Sequence, residues 1–138
     1  MVRPKKHLGQ HFLKDKNIAA RIVDSLILSS EIDQVIEIGP GTGVLTEFLM
    51  QKPIDLKLVE IDRESIPYLK DHFPTLTGKI IEADFLKLNL EDVFDGNIQI
   101  IGNFPYNISS QIFFKVLEHR NRVNQVVCML QKEVADRI

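Results

Sequence analysis

Val35-Ile36-Glu37-Ile38-Gly39-Pro40-Gly41-Thr42-Gly43 begins as a mostly apolar run and ends with glycine at every second position. The first half suits a buried strand. The second half supplies a backbone that turns sharply and lets a ligand approach where side chains would collide. The spacing is G-x-G-x-G. A dinucleotide fingerprint wants its third glycine at position 44, which is Val44, and no Lys-Ser/Thr pair completes a P-loop. An oxidoreductase using this loop for NAD therefore stays open as a competitor, with a mismatch at that position.

Outward from the loop, strand-like and helix-like stretches alternate. Residues 35–38, 56–61, 79–83, 98–101 and 123–130 read as strands, residues 44–50, 64–72 and 109–119 as helices, and Lys132 opens another helix. Ahead of the loop, Asp15 can cap a helix whose apolar positions Ile18, Ala19, Ile22, Val23 and Leu26 recur at helical spacing, ending near Ser29 and Ser30. Alternation of this kind predicts an α/β, Rossmann-like fold, a mostly parallel sheet with helices on both faces.

The chain has 138 residues, 44% hydrophobic and 26% charged, which fits one compact domain with a real core. No repeat, linker or low-complexity segment interrupts it. The formal net charge of -2 argues against a uniformly basic coat for nucleic acid, although Arg3, Lys5, Lys6 and His7 concentrate positive potential at the start. The single cysteine, Cys128, sits in an apolar run and reads as a small buried hydrophobe, with no intrachain disulfide open to it. No apolar run approaches a membrane span and no secretory signal is apparent, so a cytoplasmic location without membrane contact is expected.

Parallel sheets bind ligands beyond the carboxyl ends of their strands, near the point where strand order reverses. The loops on that edge contain the glycines, Glu60 after the second strand, Asp84 after the third and Asn103-Phe104-Pro105-Tyr106 after the fourth. Glu60, about 20 positions beyond Gly39, can accept hydrogen bonds from both hydroxyls of a ribose. Glu37, just before the glycines, adds negative charge that would repel a pyrophosphate and favour a cationic ligand. S-adenosylmethionine, a nucleoside with a sulfonium and an amino group, satisfies all three observations. Asp84 either accepts from the adenine amine, with Phe85 or Ile61 closing on the ring, or caps the following turn. Its place after the third strand favours the ligand, and the set together points to a class I methyltransferase releasing S-adenosylhomocysteine.

Asn103-Phe104-Pro105-Tyr106 taken alone would more often close a strand than perform chemistry, since Asn, Pro and Tyr are ordinary turn residues. Beside a methyl donor it specifies more. The amine of adenine is a poor nucleophile because its lone pair is delocalised into the ring. Acceptors that hold its two hydrogens and pull the nitrogen towards tetrahedral geometry would expose that lone pair. Asn103 offers a side-chain oxygen, Pro105 a carbonyl held at fixed φ, and Tyr106 a stacking face. Phe104 either adds to the stack or packs under the loop. A base inside a duplex cannot reach such a site, so the target must be unpaired or flipped out. Gly9-Gln10-His11-Phe12-Leu13 is either a basic-flanked segment folded over the cofactor or a tail with Phe12 and Leu13 tucked into the core, and the residues alone favour the tail.

GQHFL at 9–13, EIGPGTG at 37–43, VEID at 59–62, EADFL at 82–86, NFPYNIS at 103–109 and QKEVADRI at 131–138 occur in this order over nearly the whole chain. As a set they resemble the ribosomal RNA adenine dimethyltransferase family, of the type acting on the small subunit. The resemblance implies N6,N6-dimethylation of two adjacent adenosines in a hairpin near the 3′ end of 16S rRNA, in the small ribosomal subunit or its precursor, by a monomer without metal. It implies Asn103, Pro105 and Tyr106 as the catalytic set. It also implies cofactor contacts from His11, Leu13, Gly39, Glu60, Asp84 and Asn103, beside Gly41, Ile61 and Phe85 read from the loops themselves, which turns the reading of the N-terminal motif from tail to site.

Two positions depart from the family pattern: Leu is usual where Phe104 stands, and Asn is common where His11 stands. Relatives that methylate large-subunit RNA and confer macrolide resistance share most of the motifs, but Pro40, Asn107 and the QKEVADRI ending resemble the small-subunit type. A noncatalytic RNA-binding assembly factor on the same fold has no chemical need for Asn103, Pro105 and Tyr106 together. Family members continue into further strands and a small helical C-terminal domain. Residues 1–138 are accordingly expected to be an incomplete S-adenosylmethionine-binding methyltransferase domain, a fragment that binds cofactor weakly and methylates RNA poorly.

Overall fold

The computed structural model describes residues 16–29, 31–104 and 107–129. Five strands, β1 (Gln34–Ile38), β2 (Asp55–Glu60), β3 (Ile80–Glu82), β4 (Ile98–Asn103) and β5 (Val123–Met129), form one sheet in the order β3-β2-β1-β4-β5. Every pairing is parallel. The chain winds outward from β1 in both directions, so strand order reverses between β1 and β4 and a crevice opens beyond their carboxyl ends.

Alternate residues of each strand serve opposite faces. On one face Val35, Leu56, Leu58 and Ile101 pack under α1 (Lys16–Asp24), α2 (Val44–Leu49), α3 (Ser65–His72) and a 3-10 segment (Pro74–Lys79), through Ala19, Val23, Leu45, Leu49, Leu69 and Leu76. On the other, Ile36, Ile38, Val59, Ile98 and Ile100 pack under α4 (Leu90–Val93) and α5 (Ser109–Glu118), through Leu90, Phe94 and Ile112. Burial on both faces is why these strands read as near-continuous apolar runs. The parity breaks once: Ile98 pairs with Val123 but Gln99 with Gln125. The extra residue at the start of β5 puts Val123 on the same face as Val126 and Cys128.

The helices on both faces and all five strands match the expectation to within a residue or two. The end of α1 does not. It stops at Asp24 because the following residues are held by the sheet instead. The Ile27 N–H donates to Gln125 Oε1 at 2.9 Å, the Ile27 carbonyl accepts from Gln99 Nε2 at 2.9 Å, and the Ser25 carbonyl accepts from Gln125 Nε2 at 3.1 Å. Two glutamines on β4 and β5 thus take over backbone groups that the helix would have used. The short α4 and the 3-10 segment escaped the periodicity reading because neither is long enough to show a period. Their local signals are Asn89, whose Oδ1 accepts from the Glu91 N–H at 3.1 Å, and Pro74 in the first turn. Asp15, Ser30 and the helix expected from Lys132 lie outside the described residues.

Candidate functional site

The loop after β1 takes its three glycines into the left-handed region, with φ of +64° at Gly39, +58° at Gly41 and +85° at Gly43. Only glycine enters that region without strain. At Gly43 space is short as well: a Cβ there would lie 2.3 Å from the Phe73 ring, whereas at Gly39 and Gly41 it would meet nothing within 4 Å. The loop is pinned by the Gly39 N–H to the Val59 carbonyl and by the Gly43 N–H to the Pro40 carbonyl, both at 2.8 Å.

Glu60 is fully buried and bridges two loops. Its Oε1 accepts from the Gly41 N–H at 2.9 Å and its Oε2 from the Asp62 N–H at 3.0 Å. Burial pushes the carboxyl above its ordinary range and these N–H groups pull it back. Each carboxylate oxygen keeps a second lone pair, so a hydroxyl can still be accepted beside the backbone bonds.

Ile38, Gly39, Val59, Glu60, Ile61, Ala83, Asp84, Phe85, Leu86, Asn107, Ile108 and Ile112 line one cavity of about 210 Å³ at the carboxyl ends of β1, β2 and β3. Most of this wall is apolar, with Glu60 and Asp84 as its acidic groups. An apolar slot with a few placed polar groups is the ordinary form of a small-molecule site. Asp84 Oδ1 accepts from the Leu86 N–H at 3.0 Å, and the Asp84 carbonyl accepts from the Lys87 N–H at 3.0 Å. Asp84 thus organises the turn, and it also lines the cavity.

Five of the expected cofactor residues, Gly39, Glu60, Ile61, Asp84 and Phe85, meet on this cavity. Gly41 joins it only through its bond to Glu60. Asn103 ends β4, half-buried, and does not line it. Phe104 is wholly buried with its ring edge-to-face against Phe113, centroids 6.2 Å apart, so it packs under the loop and offers no stacking face. His11, Leu13, Pro105 and Tyr106 lie outside the described residues.

Glu37 corrects an expectation. It is buried on the α2 side of β1, accepts from the Thr46 hydroxyl, and burial pushes its carboxyl up to about 8. At neutral pH it is mostly protonated, so it does not present the negative charge anticipated beside the glycines. Cys128 is half-buried and its thiol is pushed up by burial, in keeping with a packing role.

The sequence reading missed the third wall of the cavity. Asn107 and Ile108 come from the turn into α5 and Ile112 from α5 itself; the i, i+4 spacing of the two isoleucines puts them on one helical side, but no local signal assigns that side to the cavity. Among the described residues no group of His, Cys, Asp or Glu could hold a metal ion, and no helix is long and apolar enough to cross a membrane.

The family model for ribosomal RNA adenine dimethylase matches residues 1–138. A ribosomal RNA small subunit methyltransferase A from Parabacteroides distasonis is 56% identical over all of this chain and 52% of its own length. The protein of the same description from Flavobacterium johnsoniae is 54% identical over 99% of this chain and 52% of its own length. This chain thus spans about half the length of the curated relatives it matches. Among solved structures, the 23S rRNA methyltransferase ErmE superposes with a TM-score of 0.75 at 29% identity, covering 91% of this chain and 50% of that one. A dimethyladenosine transferase from Plasmodium falciparum superposes at 0.72 with 34% identity, covering 92% and 46%.

Proposed function

The chain belongs to the ribosomal RNA adenine dimethylase family, and from that premise we propose that it is the cofactor-binding half of an S-adenosylmethionine-dependent rRNA adenine-N6,N6-dimethyltransferase. The observation that carries the reading is the convergence of Gly39, Glu60 and Asp84, from the ends of three adjacent parallel strands, on one apolar cavity. The residues fit a nucleoside: a slot between Phe85, Ile108 and Ile112 suits a planar base, Asp84 an exocyclic amine, and Glu60 a ribose hydroxyl.

When bound, the cofactor supplies an electrophilic methyl group on a sulfonium. The protein's own work is positioning. Asn103 lies at the end of β4, next to β1 and its glycine loop, and its side-chain oxygen with the Pro105 carbonyl would hold the two hydrogens of the target amine. Tyr106 would stack on the flipped base. These acceptors bind more strongly as the amine gains positive charge, so they favour the transition state over the ground state, and no strong base is needed. His11 and Leu13 would close over the cofactor from the N-terminal side.

The proposed substrate is 16S rRNA in the small subunit or its precursor, at two adjacent adenosines in a hairpin near the 3′ end. Relatives at 50% identity and above carry the small-subunit description, whereas the 23S enzyme stands at 29%. The test is methylation of small-subunit particles and, in a parallel reaction, of 23S rRNA by the full-length protein, read by mass spectrometry of each RNA. Two dimethylated adenosines are expected. Methyl groups on 23S RNA would instead select the large-subunit reading, and cofactor binding without any transfer the noncatalytic one.

A further inference from the structure

Lys115 lies on α5 and is buried, an unusual place for an ammonium group. Its Nζ donates to the Phe85 carbonyl at 2.5 Å and to the Leu88 carbonyl, and stands 5.0 Å from the centroid of the Phe85 ring. Burial lowers its pKa, while Asp84 and Glu118 act in the opposite direction. The turn it grips is the one that carries Asp84, Phe85 and Leu86 to the cavity.

Ile112, three residues earlier on α5, is buried on the same side of the helix and lines the same cavity as Asp84, Phe85 and Leu86. One face of α5 therefore does two things: Ile112 lines the cavity, and Lys115 ties the turn carrying Asp84, Phe85 and Leu86 to the same helix. The turn's own bonds are local, from the Leu88 N–H to the Phe85 carbonyl at 3.2 Å and from the Lys87 N–H to the Asp84 carbonyl at 3.0 Å. They shape the turn without setting its distance from α5. We infer that Lys115 is a positioning residue that sets the width of the nucleobase slot by holding the 84–88 turn to α5. The inference rests on the proposal that this cavity receives the adenine of the cofactor.

The experiment compares full-length wild-type protein with Lys115→Met and Lys115→Arg. Calorimetry with S-adenosylhomocysteine is followed by steady-state methylation with S-adenosylmethionine varied at saturating RNA. Loss of two hydrogen bonds from a charged donor is expected to raise the Kd of Lys115→Met by about tenfold, and the KM for S-adenosylmethionine with it. The kcat should stay within about twofold. Lys115→Arg, which keeps charge and donors on a longer head, is expected to weaken binding by about threefold. General damage to the fold would instead lower kcat through the active fraction and leave KM unchanged. That pattern, or an unchanged Kd in Lys115→Met, overturns the inference; where Lys115→Met does not fold, an unchanged Kd in Lys115→Arg does so. Wild-type protein that fails to bind S-adenosylhomocysteine would refute the cofactor reading itself, a different result from a variant that matches a binding wild type.

Discussion

Glu60 Oε1 accepts a hydrogen bond from the Gly41 N–H at 2.9 Å, joining the end of β2 to the glycine loop that leaves β1. One buried carboxylate thus shapes the loop and presents lone pairs to the cavity. Glu60→Ala should leave the N–H groups of Gly41 and Asp62 without their acceptor and remove the proposed ribose contact. A hydrogen bond involving a charged group contributes about 1.5 to 3 kcal/mol, so affinity for S-adenosylhomocysteine is expected to fall roughly ten- to a hundredfold. Calorimetry on the full-length protein checks this, and a Kd within twofold of wild type, about 0.4 kcal/mol, would reject the assignment.

Glu37 makes stability depend on pH. Its carboxyl is raised from 4.5 to about 8 in the folded protein, so over that window the native state holds a proton that the unfolded chain has lost. Stability from this group is therefore fully present below about pH 4.5 and declines as pH rises towards 8. The order of magnitude is a few kcal/mol across the window. Glu37→Gln cannot ionise and can still accept from Thr46. Urea denaturation should show the variant gaining on wild type as pH rises from 5 to about 8, and parallel pH profiles for the two proteins would contradict the burial argument.

Gly41 and Gly43 separate conformational strain from crowding. Both have positive φ, but only at Gly43 does a Cβ strike the Phe73 ring. Gly41→Ala should cost about 1 to 2 kcal/mol for the left-handed backbone alone. Gly43→Ala should cost about 2 to 4 kcal/mol, since the ring must also move. Phe73→Leu combined with Gly43→Ala should recover part of the difference. Equal losses at the two glycines would show that the ring moves aside freely.

Asn103→Ala in the complete enzyme should remove one acceptor from an amine that gains charge during transfer. Single-turnover methylation is expected to slow about ten- to a hundredfold, the equivalent of roughly 1.5 to 3 kcal/mol. Binding of S-adenosylhomocysteine should change less than the rate, because Asn103 does not line the apolar cavity. An unchanged rate would remove Asn103 from the chemistry.

The architecture was legible because strands buried on both faces announce themselves as apolar runs, and glycines and prolines punctuate them. Glu60 and Asp84 were legible for a related reason: parallel strands point their carboxyl ends the same way, so acidic residues at successive strand ends fall on one edge. The lining from α5 was not legible. Ile108 and Ile112 look like ordinary core residues until the folded chain brings them to the same cavity as the residues at the carboxyl ends of β1, β2 and β3. Nor was Phe104, whose burial against Phe113 depends on which way the strand end turns.

By itself the sequence determined the alternation of elements, the glycine loop, the order of the motifs and the resemblance they carry, because these depend on local propensity and on residues near one another in the chain. Only the tertiary structure decided charge states and second roles. It showed Glu37 desolvated, with burial pushing its carboxyl up to about 8, Glu60 engaged by two backbone N–H groups, and Lys115 gripping a turn that lies about 30 positions away. Desolvation and long-range hydrogen bonds are set by what packs around a group, and no local pattern in the chain encodes them.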